Sequence, residues 1–163
     1  MRKKNQKGFT ILELLIVVAV IGILVAIGLP KLLKARVSAI EGSGAAGARS
    51  AVTAILSFQT KFTNPPATFA ALGGTGCDSS ATVPTSTAAC LMSDAWASTG
   101  VNNQYKFTYT TTGGDWALNV DPCDGTAPCT VTSPANRHYF ANGEQIRYAD
   151  GAAATATSTP LGN

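Results

Sequence analysis

The sequence has a single histidine, His138, and only 13% of its 163 residues are charged. Ser/His/Asp hydrolysis would have to use that one imidazole. It lies beside Arg137, Tyr139 and Phe140 in a strand-like stretch, so a histidine on a sheet surface is the simpler assignment. Glycine-rich phosphate loops and metal-ligand clusters are also missing, so neither an enzyme nor a bound cofactor is expected. Zinc-type CxxC pairs are absent as well. The body of the chain has no basic patch: Arg2, Lys3, Lys4 and Lys7 precede residue 9, and beyond it eight cations face nine anions. The net charge of +3 thus belongs to the first few residues, and no nucleic-acid footprint remains.

What is present is a long apolar run. Phe9 to Leu29 is 21 residues with one ionisable side chain, Glu13, enough at 1.5 Å per residue to cross about 30 Å of hydrocarbon. The four preceding cations favour a cytoplasmic start and a body on the far side, although Lys31, Lys34 and Arg36 reduce the asymmetry. No A-x-A-like cleavage site follows Leu29, so the segment is expected to be retained rather than removed as a secretory signal. A carboxylate inside such a run costs on the order of 3 kcal/mol at the bilayer centre and needs compensation, by hydration near the interface or by a partner charge.

Basic residues, then Gly8, then Phe9-Thr10-Ile11-Leu12-Glu13 form a specific pattern, and KGFTILELLIVVAVIGILVAIGLP, Lys7 to Pro30, resembles the type IV pilin and type II secretion pseudopilin family. The resemblance implies a leader peptide at residues 1–8, cut between Gly8 and Phe9 by prepilin peptidase, and N-methylation of Phe9. It also implies an assembly role for Glu13, a homo-oligomeric filament as the destination, and an inner-membrane assembly platform as a partner. The subunit would wait as a single-pass protein in the bacterial inner membrane with its head outside the cytoplasm. It would then enter a surface pilus or a periplasmic pseudopilus. A looser likeness, in Phe69 to Gly74 (FAALGG) and Arg137 to Phe140 (RHYF), is to pilin-like proteins described from acidobacteria. Cutting after Gly8 would leave a cationic amine at Phe9. Its attraction to a neighbour's Glu13 at about 4 Å is roughly 4 kcal/mol at an effective dielectric of 20, comparable with the cost of burying the carboxylate. Such a pair serves register more securely than net stability.

Residues 9–30 thus read as a transmembrane and assembly helix, followed at 31–63 by an amphipathic helix and at 64–163 by a disulfide-stapled, β-rich head. Pro30 removes one helical donor and predicts a kink or local melting near residues 26 to 30, while Gly22 and Gly28 permit close helix approach. Val37, Ile40, Gly44, Gly47, Ala51, Ile55, Phe58 and Phe62 recur every three or four residues and form one face. Gly42, Gly44 and Gly47 predict either fraying or close packing against the head. Asn64-Pro65-Pro66 ends the helix.

Residues 67–103 lack periodicity. Alternation at Tyr105, Phe107 and Tyr109, then Gly113-Gly114-Asp115, then Trp116, Leu118 and Val120 predicts a hairpin. Arg137 to Ala141 and Gln145 to Tyr148 around Asn142-Gly143-Glu144 predict a second one. The fold class is therefore α+β, pilin-like: a long kinked N-terminal helix packed on a small antiparallel sheet. The even cysteine count in an exported chain points to disulfides; four cysteines allow three pairings, of which Cys77 with Cys90 and Cys123 with Cys129 is favoured because each closes a local loop. Asp121, Asp124 and Asp150 were considered for calcium, but aspartates scattered in turns are more often solvated. The tail from Gly151 to Asn163 reads as an exposed or strand-like end. The functional alternatives are a secretion pseudopilin, a minor pilin and, in a different class, a singly anchored surface-binding protein.

Overall fold

A computed structural model describes residues 9–74, 84–125, 129 and 133–161. The chain divides into two compact units, Met1–Arg36 and Val37–Asn163. Helix α1, Ile11–Phe62, is 52 residues long. It is followed by a 3-10 turn at Phe69–Leu72, helix α2 at Asp94–Thr99, and strands β1 Val101–Asn102, β2 Tyr105–Thr112, β3 Asp115–Pro122, β4 Arg137–Asn142, β5 Ile146–Asp150 and β6 Thr159–Pro160. The result is an α+β, pilin-like arrangement of one long apolar-start helix and a six-stranded antiparallel sheet.

The backbone stays helical through residues 26–30, so the local melting that Pro30 could have produced does not occur. An internal proline costs a helix about 3 kcal/mol, and apolar helices of membrane-spanning length tolerate it. Glycine does not fray the helix either. A Cβ built on Gly44 would lie 2.5 Å from Tyr105 Cε2 and Cζ, and one on Gly47 would lie 2.8 Å from Phe107 Cζ, whereas one on Gly42 meets nothing. Gly44 and Gly47 are therefore the places where aromatic rings of β2 approach the helix backbone. The buried helix face also includes Ala45, Ala48 and Ala54, small residues that the three-and-four spacing of larger apolar side chains had not brought out.

The strands run in sequence order, β1-β2-β3-β4-β5-β6, every neighbour antiparallel. Register places Phe107, Val120, Tyr139 and Tyr148 in one cross-strand row and Tyr109, Leu118, Ala141 and Ile146 in the next. These rows, together with Ala48, Ala51, Ile55 and Phe58 of α1, make the core. Full burial of Ile55, Leu72, Leu118 and Val120 contributes about 1.5–3 kcal/mol each. The core tyrosines and Trp116 keep their polar ends satisfied, whereas the buried Trp96 Nε1 has no partner among the described residues. The Tyr139 hydroxyl donates to the Glu41 carbonyl at 2.6 Å, Tyr105 to the Arg137 carbonyl at 3.0 Å and Tyr109 to the Pro66 carbonyl at 2.8 Å. Trp116 Nε1 donates to Gln59 Oε1 at 3.2 Å. Burial, the main cause, pushes all three phenols above their ordinary range.

The β2–β3 turn is the pair Gly113-Gly114, with φ of +64° and +95°, values that favour glycine and match the twist of a two-residue hairpin. Asp115 opens β3 instead of belonging to the turn. In the β4–β5 hairpin, Asn142 Oδ1 accepts from the amides of Glu144 and Gln145 at 3.0 and 3.2 Å. Helix α2 is the clearest element absent from the sequence reading, which left residues 67–103 irregular. Six residues are too few for a helical period, yet Ser93 before Asp94 and a left-handed Gly100 after Thr99 frame it. The tail is partly strand-like, through β6.

Arg137 Nε lies 2.8 Å from Asp150 Oδ1 across β4 and β5, and this bond holds the Asp150 carboxyl below its ordinary range. A carboxyl with a lowered folded value stabilises above its unfolded value and loses that stabilisation as pH falls through the folded one. Both groups are partly exposed, so the effect is at most about 1 kcal/mol. The stability difference between wild type and Asp150→Asn is expected at neutral pH and should close on acidification, as measured by urea midpoints at several pH values. The glycines give a sharper contrast. Gly42→Ala should stabilise by about 0.5–1 kcal/mol. Gly44→Ala should destabilise by about 1–3 kcal/mol, because the buried Tyr105 ring is tied by its hydroxyl and cannot retreat. Urea unfolding of the detergent-solubilised chain checks both signs.

Candidate assembly site at the amino terminus

In the first unit, every large apolar side chain reported from Phe9 to Leu33 is exposed, from Phe9 at 81% to Leu33 at 55%. Among the described residues, α1 is the one helix long and apolar enough to cross a membrane. A Cβ on Gly22 or Gly28 would meet nothing within 4 Å, so nothing among the described residues uses the close approach those residues allow. A helix apolar all round needs lipid or other helices to cover it.

The helix begins with a reciprocal cap. Thr10 Oγ1 accepts from the Glu13 amide at 3.2 Å, while Glu13 Oε2 accepts from the Thr10 amide at 2.9 Å and from the Thr10 hydroxyl at 2.8 Å. This is a capping box, in which each residue's side-chain oxygen accepts from the other's amide, satisfying two donors that have no helical partner. The Thr-x-x-Glu spacing signals it, yet the sequence reading treated Glu13 only as a charge and passed over Thr10. The cap turns the carboxylate back toward Phe9, the start of the chain's described part. No other bond to Glu13 occurs among the described residues, and a carboxylate can accept from more donors than the two it has here.

Gly8 and the rest of residues 1–8 lie outside the described residues, as does Cys77. Phe9 is described and exposed. Pro30 lies inside α1. In the second unit, Cys123 and Cys129 form a disulfide and Cys90 is disulfide-bonded. His138 sits on the sheet face opposite α1, its Nδ1 2.7 Å from Asp121 Oδ1 on the neighbouring strand. The three aspartates weighed for calcium are engaged separately: Asp121 with His138 and Asp150 with Arg137. Asp124 joins Cys123 and Cys129 in the one grouping of three potential metal ligands among the described residues, but those two sulfurs are spent on the disulfide.

An exposed apolar helix, capped by a threonine and a carboxylate and followed by a separate sheet-bearing unit, defines a membrane-anchoring class of chain. Residues 3–29 match the prokaryotic N-terminal methylation motif, the signature of type IV pilins and pseudopilins. That family is structural, and its motif implies prepilin peptidase processing and anchoring in a membrane before assembly. No curated protein and no solved structure matches the chain.

Loss of the cap has a local consequence. Thr10→Ala should cost the first turn about 1 kcal/mol, an increase of about fivefold in amide exchange at Glu13 and Leu14, whereas Thr10→Ser should stay close to wild type. Exchange of the detergent-solubilised chain, read by mass spectrometry, checks this.

Proposed function

We propose that the chain is the structural subunit of a type IV pilus or related filament, without catalytic activity. In this reading prepilin peptidase cuts between Gly8 and Phe9, Phe9 is N-methylated, and the subunit waits as a single-pass protein of the bacterial inner membrane with residues 37–163 outside the cytoplasm. The assembly platform then moves it into a fibre. The observation that carries the reading is an apolar helix, exposed along its length, with one carboxylate at its start inside the matched motif. Either lipid or copies of the same helix can cover that surface, so a subunit can pass from one to the other. Glu13, turned back by its cap, has acceptor capacity left for the cationic Phe9 amine of a neighbour. The disulfides of the head suit an oxidising compartment.

Mass spectrometry of sheared fibres is expected to show a mature chain starting at N-methylated Phe9. Gly8→Val should leave the uncut precursor in the membrane. Glu13→Ala should retain insertion and head folding while filament yield collapses, because the substitution only makes the segment more apolar. Residues 1–8 found in assembled fibres, or undiminished filaments from Glu13→Ala at matched expression, would contradict the reading.

A further inference from the structure

The second unit is acidic. From residue 37 onward the chain has eight acidic and five basic side chains, while the stretch between Glu13 and Glu41 holds three cations, Lys31, Lys34 and Arg36, and no anion. The two hairpin turns of the sheet frame a groove of about 600 Å³, with Asp115 and Glu144 on its rim and Leu56, Trp116 and Phe140 in its lining. Neither carboxylate has an ion-pair partner among the described residues. Leu56 is 43% exposed although it lies on the part of α1 that packs the sheet. The groove is held in shape: the Trp116 indole is tied to Gln59, and the turn carrying Glu144 is tied by Asn142. A preformed surface of this kind costs little ordering on binding.

Its chemistry selects an occupant with a cation beside exposed apolar side chains. Arg137 is committed to Asp150, Arg147 to the Ser158 carbonyl, and Lys61 lies over the Phe62 ring. Leu29, Leu32, Leu33 and Arg36 follow the i, i+3, i+4, i+7 spacing of one helix face. The three leucines are 52%, 66% and 55% exposed, and Arg36 has no partner among the described residues. A guanidinium can fork between carboxylates and lie on an aromatic ring, as this groove offers.

We propose that the groove seats the Leu29–Arg36 face of a second copy of this chain, with Arg36 between Asp115 and Glu144 and the leucines against Leu56. The inference rests on the filament reading and adds to it which surface of one subunit meets which helix face of another. An anionic lipid headgroup is the competing claimant for Arg36, but the same two carboxylates repel phosphate from the groove.

The test is a charge swap in the full chain, with sheared-filament yield and membrane retention measured and head folding confirmed by intact disulfides. Arg36→Glu alone, and Asp115→Arg with Glu144→Arg, should each lower filament yield by about an order of magnitude, since like charges then face each other. All three together should restore it. Wild-type yield from either arm, or no restoration with folded heads, overturns the proposal. Loss of membrane retention in Arg36→Glu that the swap leaves unrepaired assigns the residue to lipid and also overturns it. Absence of filaments from wild type removes the reading beneath it instead. As a second measurement, Arg36→Lys filaments assembled from mixed light and heavy nitrogen-labelled subunits are treated with a zero-length carbodiimide. Mixed-isotope peptides joining the introduced amine to Asp115 or Glu144 support the contact; links only to other carboxylates, or only within one copy, contradict it.

Discussion

The apolar half of α1 has no cover among the described residues of its own chain, and the remaining features of the molecule follow from that constraint. From Phe9 to Leu33 the large side chains are exposed; the helix is half-buried at Val37, Ile40 and Glu41 and fully buried from Gly44. Hydrocarbon tails are as apolar as leucine, so moving such a helix from lipid to a bundle of its own copies gains little from hydrophobicity alone. Selectivity then has to come from the few polar groups present. On the filament reading those are Thr10 and Glu13 at the start of the helix and the cations that follow Pro30. The small number of charges in the span is what gives each of them a role.

The second unit solves a different problem. It needs a stable core of its own, and it builds one by letting aromatic rings of β2 reach the backbone of α1 at Gly44 and Gly47. Alanines at positions 45, 48, 51 and 54 continue that close contact, and hydroxyls from Tyr105, Tyr109 and Tyr139 tie the layers at carbonyls distant in sequence. Glycine in this helix therefore trades helix propensity for packing distance. Stability lies in residues 37–161, while the exposed apolar surface lies before them.

Much of this was legible in the sequence where a pattern repeats or a motif is specific. The apolar run, the amphipathic stretch and both hairpins were readable because periods of 3.6 and 2 persist over enough residues, and Gly113-Gly114 marked its turn. Helix α2 was not, because six residues carry no period. Ala45, Ala48 and Ala54 were not legible since alanine contrasts weakly with its surroundings, and the choice between frayed and packed glycines needs a partner that only the tertiary structure supplies. At the candidate site, Glu13 stood out as a lone charge, but its bond to Thr10 required attention to a four-residue capping signature. The groove between the hairpin turns joins Leu56 to Asp115 and Glu144, residues far apart in sequence, and no linear pattern links them.

Electron cryomicroscopy of filaments sheared from cells that express the chain tests the central claim most directly. The account predicts a fibre whose interior is a bundle of α1 segments from successive copies, with Phe9 to Leu33 of each covered by neighbouring helices and Glu13 facing the amine of another subunit's Phe9. A fibre whose interior lacks these helices, or a chain that stays singly dispersed in the membrane under conditions of assembly, would contradict it.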